Sequence, residues 1–298
     1  MGLSVGAPFL SGLVALCGRP NVGKSTLANA LARTRVAAVS PRPQTTRRRI
    51  TAVVHGEEWQ AVLLDLPGFQ KPGDGLTARM QATVDRNLED CDAALFLLNA
   101  TEEVGGGDRF IAERIKAARL PAIVVLNKID GLDRDAVAVA IARVATLVDF
   151  VDLYPISALT GDGVDALREG LPAVLTEGPR YFPAGAASDQ TEDELAAELI
   201  REAALQRLHQ EVPHALAVDV TDIEPARSGV VVRAVLLVET ESQKGIVVGR
   251  GGTMIRAVGQ AAREALGHVW GTEVHLDLMV KVRRRWRDDE SMLERLGL

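Results

Sequence analysis

Short apolar runs alternate with amphipathic stretches along the first 180 residues. Leu13 to Cys17, Ala93 to Leu98 and Ala122 to Leu126 are apolar without interruption, as strands buried on both faces are. Ile50 to His55 and Trp59 to Leu64 read as two strands around a turn at Gly56-Glu57-Glu58, and Asp152 to Ile156 as a sixth. Between them lie helical patterns: one after Ser25 with Leu27, Ala30 and Leu31 on one face, one ending near Glu89, and one after Gly105-Gly106-Gly107. This alternation predicts an α/β domain, a doubly wound and mostly parallel sheet. Gly178 to Pro183 and Ala184 to Asp189 read as a linker. Beyond it, Thr191 and Glu194 form a capping box for a helix striped by Leu195, Leu199, Leu205 and Leu208. Strands from Ala215 to Val220 and Val230 to Val238, a helix from Thr253 to Leu266 and a strand from Glu273 to Val282 follow. This order (helix, strand, strand, helix, strand) predicts a second, smaller α+β domain. The expected boundaries are 1–178, a linker at 179–190, and 191–298.

Composition adds little to this picture, and charge adds more. Of 298 residues, 47% are hydrophobic and 25% charged, as in an ordinary globular protein. No apolar run nears the roughly 18 residues of a membrane span. The N-terminus has no basic segment followed by a long apolar one, so no signal peptide is expected. Cys17 and Cys91 are the only cysteines, which argues against a disulfide framework and fits a reducing cytoplasm. The net charge of −6 is unevenly spread. Residues 188–226 carry ten acidic and two basic residues, whereas 243–287 carry nine basic and three acidic. The basic segment points to a polyanionic partner.

Gly18-Arg19-Pro20-Asn21-Val22-Gly23-Lys24-Ser25 fits G-x-x-x-x-G-K-[ST], between a predicted strand and a predicted helix. In such a loop, backbone N–H groups and a helix N-terminus surround phosphate oxygens. Asn21, Val22, Gly23, Lys24, Ser25 and Thr26 are therefore the candidate phosphate site. Lys24 is expected to reach the β- and γ-phosphates and Ser25 to bind Mg²⁺. Asp65-Leu66-Pro67-Gly68 ends the next strand pair: Asp65 is a second candidate for Mg²⁺, and the Gly68 N–H a candidate for the γ-phosphate. Asn127-Lys128-Ile129-Asp130 ends another strand. A carboxylate at Asp130 can accept two hydrogen bonds from guanine N1–H and its exocyclic amine, a donor pair that adenine lacks. This disfavours an ATP-driven enzyme. Lys128 is expected along the base and ribose. Ser157-Ala158-Leu159 completes the base site, with the Ala158 N–H aimed at guanine O6.

Gly249-Arg250-Gly251-Gly252 is a G-x-x-G with an apolar lead-in, an internal arginine and an amphipathic helix after it. This is the layout of a KH module, whose loop backbone approaches nucleic-acid phosphates. Lys244, Arg250 and Arg256 are candidate phosphate contacts. Arg283 and Arg284, with Lys281, Arg285 and Arg287, are expected to extend the RNA surface along a basic C-terminal tail. A solvated terminus is the competing reading of that tail. Trp286 fits either a base stack or packing.

These motifs, in this order and spacing, resemble a translation-factor-class G protein, and most closely the Era GTPase family. Gly18 to Asn29, Gln44-Thr45-Thr46-Arg47 and Glu241 to Gly252 carry the resemblance, which extends over essentially the whole chain. It implies a P-loop GTPase joined to a KH domain, acting in small (30S) subunit assembly through 16S rRNA. It also implies Thr46 on Mg²⁺ as the switch I threonine, K⁺-assisted hydrolysis with Asn21 as ligand, and catalytic roles for Lys24, Thr46 and Gly68. Switch segments are expected around 40–49 and 66–76. Leu66 stands where the family usually has threonine. Phe69 stands where many small G proteins place a water-orienting glutamine, which implies slow intrinsic turnover. A monomer in the cytoplasm is expected. The alternative is a GTP-gated signalling adaptor, of membrane-surface or cell-cycle type, peripheral at the inner face of the cell membrane.

Overall fold

Strand β1 (Leu10–Cys17) is fully enclosed from Val14 onward. It begins three residues earlier than the apolar run, because Leu10-Ser11-Gly12 pairs in register with β3. This computed structural model describes residues 8–40, 45–67, 74–208 and 212–298, with the backbone alone at Thr83 and Asp85. After β1 come α1 (Lys24–Ala32), β2 (Ile50–His55), β3 (Trp59–Asp65), α2 (Gly75–Glu89), β4 (Ala93–Asn99), α3 (Gly106–Ala117), β5 (Ala122–Asn127), α4 (Arg134–Val144), β6 (Asp152–Ile156), α5 (Val164–Gly170) and the short β7 (Thr176–Glu177). The sheet order is β2-β3-β1-β4-β5-β6, with β7 beside β1. β1, β3, β4, β5 and β6 run parallel, while β2 is antiparallel to β3 and β7 to β1. All seven residues of β4 are buried, as a strand covered on both faces requires. Phe96, Val124 and Leu126 pack with Ile111 and Ile115 of α3 in one core. The chain turns toward β3 on one side of β1 and toward β4 on the other. Ligands of such sheets bind at the carboxyl ends of strands beside that reversal.

The remaining elements are α6 (Glu192–Leu205), α7 (Val212–Ala215), β8 (Ala217–Pro225), β9 (Val230–Val238), α8 (Glu241–Val248), α9 (Thr253–Trp270), β10 (Val274–Val282) and α10 (Glu290–Arg295). The three strands are ordered β10-β9-β8, with β9 parallel to β10 and antiparallel to β8. The expected capping box forms: Glu194 N donates to Thr191 Oγ1, and Thr191 N to Glu194 Oε2. Val258, Ala262 and Leu266, four residues apart, seat α9 against Val232, Leu236 and Val238.

Helix α8 is absent from the sequence-derived order. Ile246-Val247-Val248 reads as an apolar lead-in, but only Val247 is buried and Ile246 is 45% exposed. Thr240 and Gln243 cap the helix reciprocally, which is the local signal for it. The C-terminal segment is folded as well. Trp286 is fully buried, its indole N–H donates to the Ala215 carbonyl at 2.8 Å, and α10 follows.

By its contacts the chain divides into two units that interleave in sequence. One comprises Met1–Val36, Arg49–Phe69 and Thr83–Asp189; the other comprises Ala37–Arg48, Gln70–Ala82 and Gln190–Leu298. Within the second unit, Leu76 and Met80 pack with Ala217, Val235, Leu237, Trp286 and Leu293. Arg47 is 3% exposed and donates to the carbonyls of Leu216, Pro213 and His214 at 2.6, 3.1 and 3.0 Å. Its guanidinium also lies 5.7 Å from the Trp286 ring centroid. Burial, and next the neighbouring Arg201, pull Arg47 down to about 9, so it stays charged at neutral pH. Trp286→Ala opens a cavity at this point and is expected to cost about 3–5 kcal/mol of stability. Denaturant unfolding followed by circular dichroism measures it, and a loss under about 1 kcal/mol would show that the indole is dispensable.

Candidate functional site

The loop between β1 and α1 is shaped by two glycines at which an added Cβ would displace its neighbours. A Cβ at Gly18 would lie 2.7 Å from Val22 Cγ1 and 2.9 Å from the Leu97 carbonyl. Gly23 has φ 106° and precedes the first residue of α1, so its backbone favours glycine on conformation alone. A Cβ there would also overlap the Asn127 amide. With this geometry α1 begins directly after the loop, and the partial positive charge of a helix N-terminus favours anions there.

Lys24 is buried, and its ammonium donates to the carbonyls of Gly18 at 3.1 Å and Arg19 at 3.4 Å. Burial pulls its pKa down, and the Asp65 carboxylate opposes that pull. A desolvated ammonium whose hydrogen bonds go to backbone carbonyls is well prepared to transfer to phosphate oxygens. Ser25 Oγ donates to Asp65 Oδ2 at 2.6 Å, and Asp65 is fully buried. A hydroxyl and a carboxylate in contact at a strand end form a hard-oxygen pair, the donor chemistry that Mg²⁺ selects. Thr26 is half-buried on α1, and Asn21 is exposed with φ 61°.

Asn127 joins this loop to the other end of the site. Its Nδ2 donates to the Val22 carbonyl at 2.7 Å, and its Oδ1 accepts from Ala158 N at 2.9 Å. Asp130 Oδ1 accepts from Ser157 Oγ at 2.8 Å, and Asp130 is exposed at the rim. Lys128, with φ 71°, turns the chain between them. Leu159 is 80% exposed. Of the sequence-derived residues, those from 21–26, 65, 127–130 and 157–159 thus all lie in the first unit. Thr46 is buried and belongs to the segment Ala37–Arg48 of the second unit. Gln44, Gly68 and Phe69 lie outside the described residues.

In the second unit, Gly249 ends α8 with φ 72°, and a Cβ there would lie 2.8 Å from both Met254 N and Met254 Cβ. Gly251 and Gly252 also have positive φ, at 59° and 78°. The loop therefore turns sharply, and Gly251 at its tip is exposed, with nothing within 4 Å of where a Cβ would lie. Arg250 and Arg256 are exposed, and Lys244 is half-buried on α8. Arg283 and Arg284 are exposed too, with Arg283 paired to Asp289 at 2.7 Å. Arg287 is committed elsewhere, pairing with Asp74 at 3.0 Å and Glu239 at 2.7 Å.

Sequence reasoning missed Arg19 as a contributor to this geometry. Its guanidinium pairs with Asp108 at 2.8 Å and Glu102 at 2.6 Å, partners more than 80 residues away with no motif to mark them.

Comparison with known proteins matches residues 13–128 to the family described as 50S ribosome-binding GTPase, and residues 211–287 to the KH domain family. GTPase Era of Mycolicibacterium paratuberculosis (strain K-10) is 44% identical over 295 residues, covering 97% of this chain and 99% of that protein. GTPase Era of Mycobacterium tuberculosis (strain H37Rv) is 44% identical over 297 residues, with the same coverage. Among solved structures, an Era variant from Aquifex aeolicus bound to GDP·AlF4⁻ superposes with a TM-score of 0.92 at 35% identity, covering 97% of this chain and 99% of that one. Era in complex with MgGDPNP and nucleotides 1506–1542 of 16S ribosomal RNA superposes with a TM-score of 0.91, at the same identity and coverage.

Proposed function

The chain belongs to the Era family of GTPases, and from that premise we propose that it binds and hydrolyses Mg·GTP in its first unit and binds 16S ribosomal RNA through its second. The observation that carries the first half is the Asn127 side chain, which holds Val22 of the phosphate loop and Ala158 of the base loop at once. A single amide thereby sets the spacing between a phosphate cradle and a carboxylate suited to guanine.

The reaction is attack of water in line with the γ-phosphate. Lys24 leaves the Gly18 and Arg19 carbonyls and takes β- and γ-phosphate oxygens. The amides from Asn21 to Thr26 surround the phosphates, and the Gly68 N–H is assigned to the γ-phosphate. Asp130 accepts from the guanine edge while Ser157 orients it, the Ala158 N–H donates to O6, and Lys128 and Leu159 flank the base. Mg²⁺, when bound, offsets charge on the β- and γ-phosphate oxygens; Ser25 and Asp65 hold it, and Thr46 is assigned to it from the family resemblance. Asn21 is assigned to K⁺ on the same ground. Lys244, Gly249, Arg250, Gly251, Gly252 and Arg256 are assigned to the RNA backbone, with Arg283 and Arg284 extending that surface. On this reading the protein acts as a cytoplasmic monomer in 30S assembly. Among the described residues no helix is long and apolar enough to cross a membrane.

Filter binding with single-stranded RNA from the 16S 3′ end, set against anionic vesicles, tests the second half. Gly249→Asp with Arg250→Asp is expected to weaken RNA binding more than about tenfold, since charge is reversed where phosphates approach. RNA affinity unchanged in that variant removes the assignment. Vesicle binding without RNA binding would favour the adaptor at the membrane face.

A further inference from the structure

We infer that Arg19 is a positioning residue of the nucleotide site: it clamps the first half of the phosphate loop to α3 and to the end of β4, presetting the cradle before the phosphates arrive. The inference rests on the GTPase reading above. Arg19 is the second residue of the loop, and its Nε donates to Asp108 Oδ1 at 2.8 Å, its Nη2 to Glu102 Oε2 at 2.6 Å. The two contacts differ in weight. The Glu102 side chain is half-exposed, so that pair is screened by water. The Asp108 side chain is only 2% exposed, and a carboxylate so buried is costly unless paired.

Both partners are themselves held. Asp108 Oδ2 accepts from Gly105 N at 2.8 Å, capping α3. Glu102 Oε1 accepts from Asn99 Nδ2 at 2.5 Å, at the end of β4. The approach is close, because a Cβ at Gly107 would lie 3.0 Å from Arg19 Cδ. The other half of the loop is pinned where Asn127 holds the Val22 carbonyl. These two anchors bracket the Arg19 carbonyl, which stores Lys24 together with that of Gly18, and the Asn21 amide; the amides of Gly23 to Thr26 follow directly. A loop fixed in its bound shape avoids an ordering cost on binding. GDP and GTP both present a β-phosphate to it, so the clamp strengthens both alike. It does not touch the reacting γ-phosphate, so it leaves the chemical step alone.

Titration of the full chain with fluorescent GDP and GTP analogues, with steady-state hydrolysis at saturating GTP, tests this. Arg19→Ala is expected to weaken both nucleotides about tenfold while kcat stays within about twofold. Arg19→Lys keeps the charge but only one reachable partner, and restores part of the loss. Asp108→Asn keeps an amide oxygen for Gly105 and so keeps the helix cap, yet it reproduces the Arg19→Ala affinities. A merely structural role would lower the melting temperature and the active fraction while leaving the Kd of the folded protein unchanged, and that result overturns the clamp. A wild-type chain that binds guanine nucleotides, beside an Arg19→Ala variant that binds them equally well, removes the clamp alone. A wild-type chain that binds none removes the GTPase reading and the clamp with it.

Discussion

Asp130→Asn moves base preference from guanine to xanthine nucleotides, with GTP affinity falling by about three orders of magnitude or more. A carboxylate offers two acceptors to the guanine N1–H and exocyclic amine. The carboxamide offers one acceptor and one donor, so its N–H faces the amine of guanine but matches the C2 carbonyl of xanthine. One charge-assisted hydrogen bond gives way to two opposed donors and the other loses its charge, together about 4 kcal/mol at 1.4 kcal/mol per decade. The site should survive the change, because the asparagine oxygen can still accept from Ser157 Oγ, now 2.8 Å from Asp130 Oδ1. Titrations with GDP and XDP analogues read the outcome. Unchanged GDP affinity would remove Asp130 from base recognition.

The second large effect is expected at Gly23. Gly23→Ala should lower affinity for GDP and GTP by more than about a hundredfold. Two costs combine. The residue sits at φ 106°, where a Cβ is strained by about 1–2 kcal/mol. The added carbon also meets Asn127 Nδ2. Moving Asn127 breaks its bonds to Val22 and Ala158, so the phosphate loop and the base loop lose their common fixture. Unlike a change at Arg19, this one reaches both ends of the nucleotide. Affinity within tenfold of wild type would mean that the loop relaxes around the methyl group and that Asn127 matters less than its geometry suggests.

What sequence patterns reveal here is what neighbours along the chain decide. β2 and β6 begin and end where their runs of strand-forming residues and the flanking polar positions place them, because those signals are local. The phosphate loop and both base-loop motifs are also local: consecutive residues make the site, and the sheet only has to bring three strand ends together. β1 begins earlier than the pattern suggests because backbone pairing with β3, and no side-chain periodicity, carries Leu10 to Gly12. α8 is hidden because Ile246-Val247-Val248 is β-branched throughout, and its helical state depends on the cap at Thr240. Arg19 and Trp286 are invisible for a stronger reason. Their partners, Asp108 and Ala215, lie 89 and 71 residues away, and no spacing rule links them. The same holds for Arg47, whose three acceptor carbonyls lie between Pro213 and Leu216.

The interleaving of the two units bears on how the protein is made. Arg47 leaves the ribosome early, but the tryptophan beneath it is encoded about 240 residues later. At translation rates of about 5–20 residues per second, that gap lasts roughly 10–50 s. The first unit has all of its chain once residue 189 emerges, whereas the second must recruit two segments already synthesised. Folding during synthesis is therefore ordered: the sheet that carries the phosphate loop can close first, and the segments 37–48 and 70–82, which interrupt it in sequence, find their places only when the C-terminus arrives.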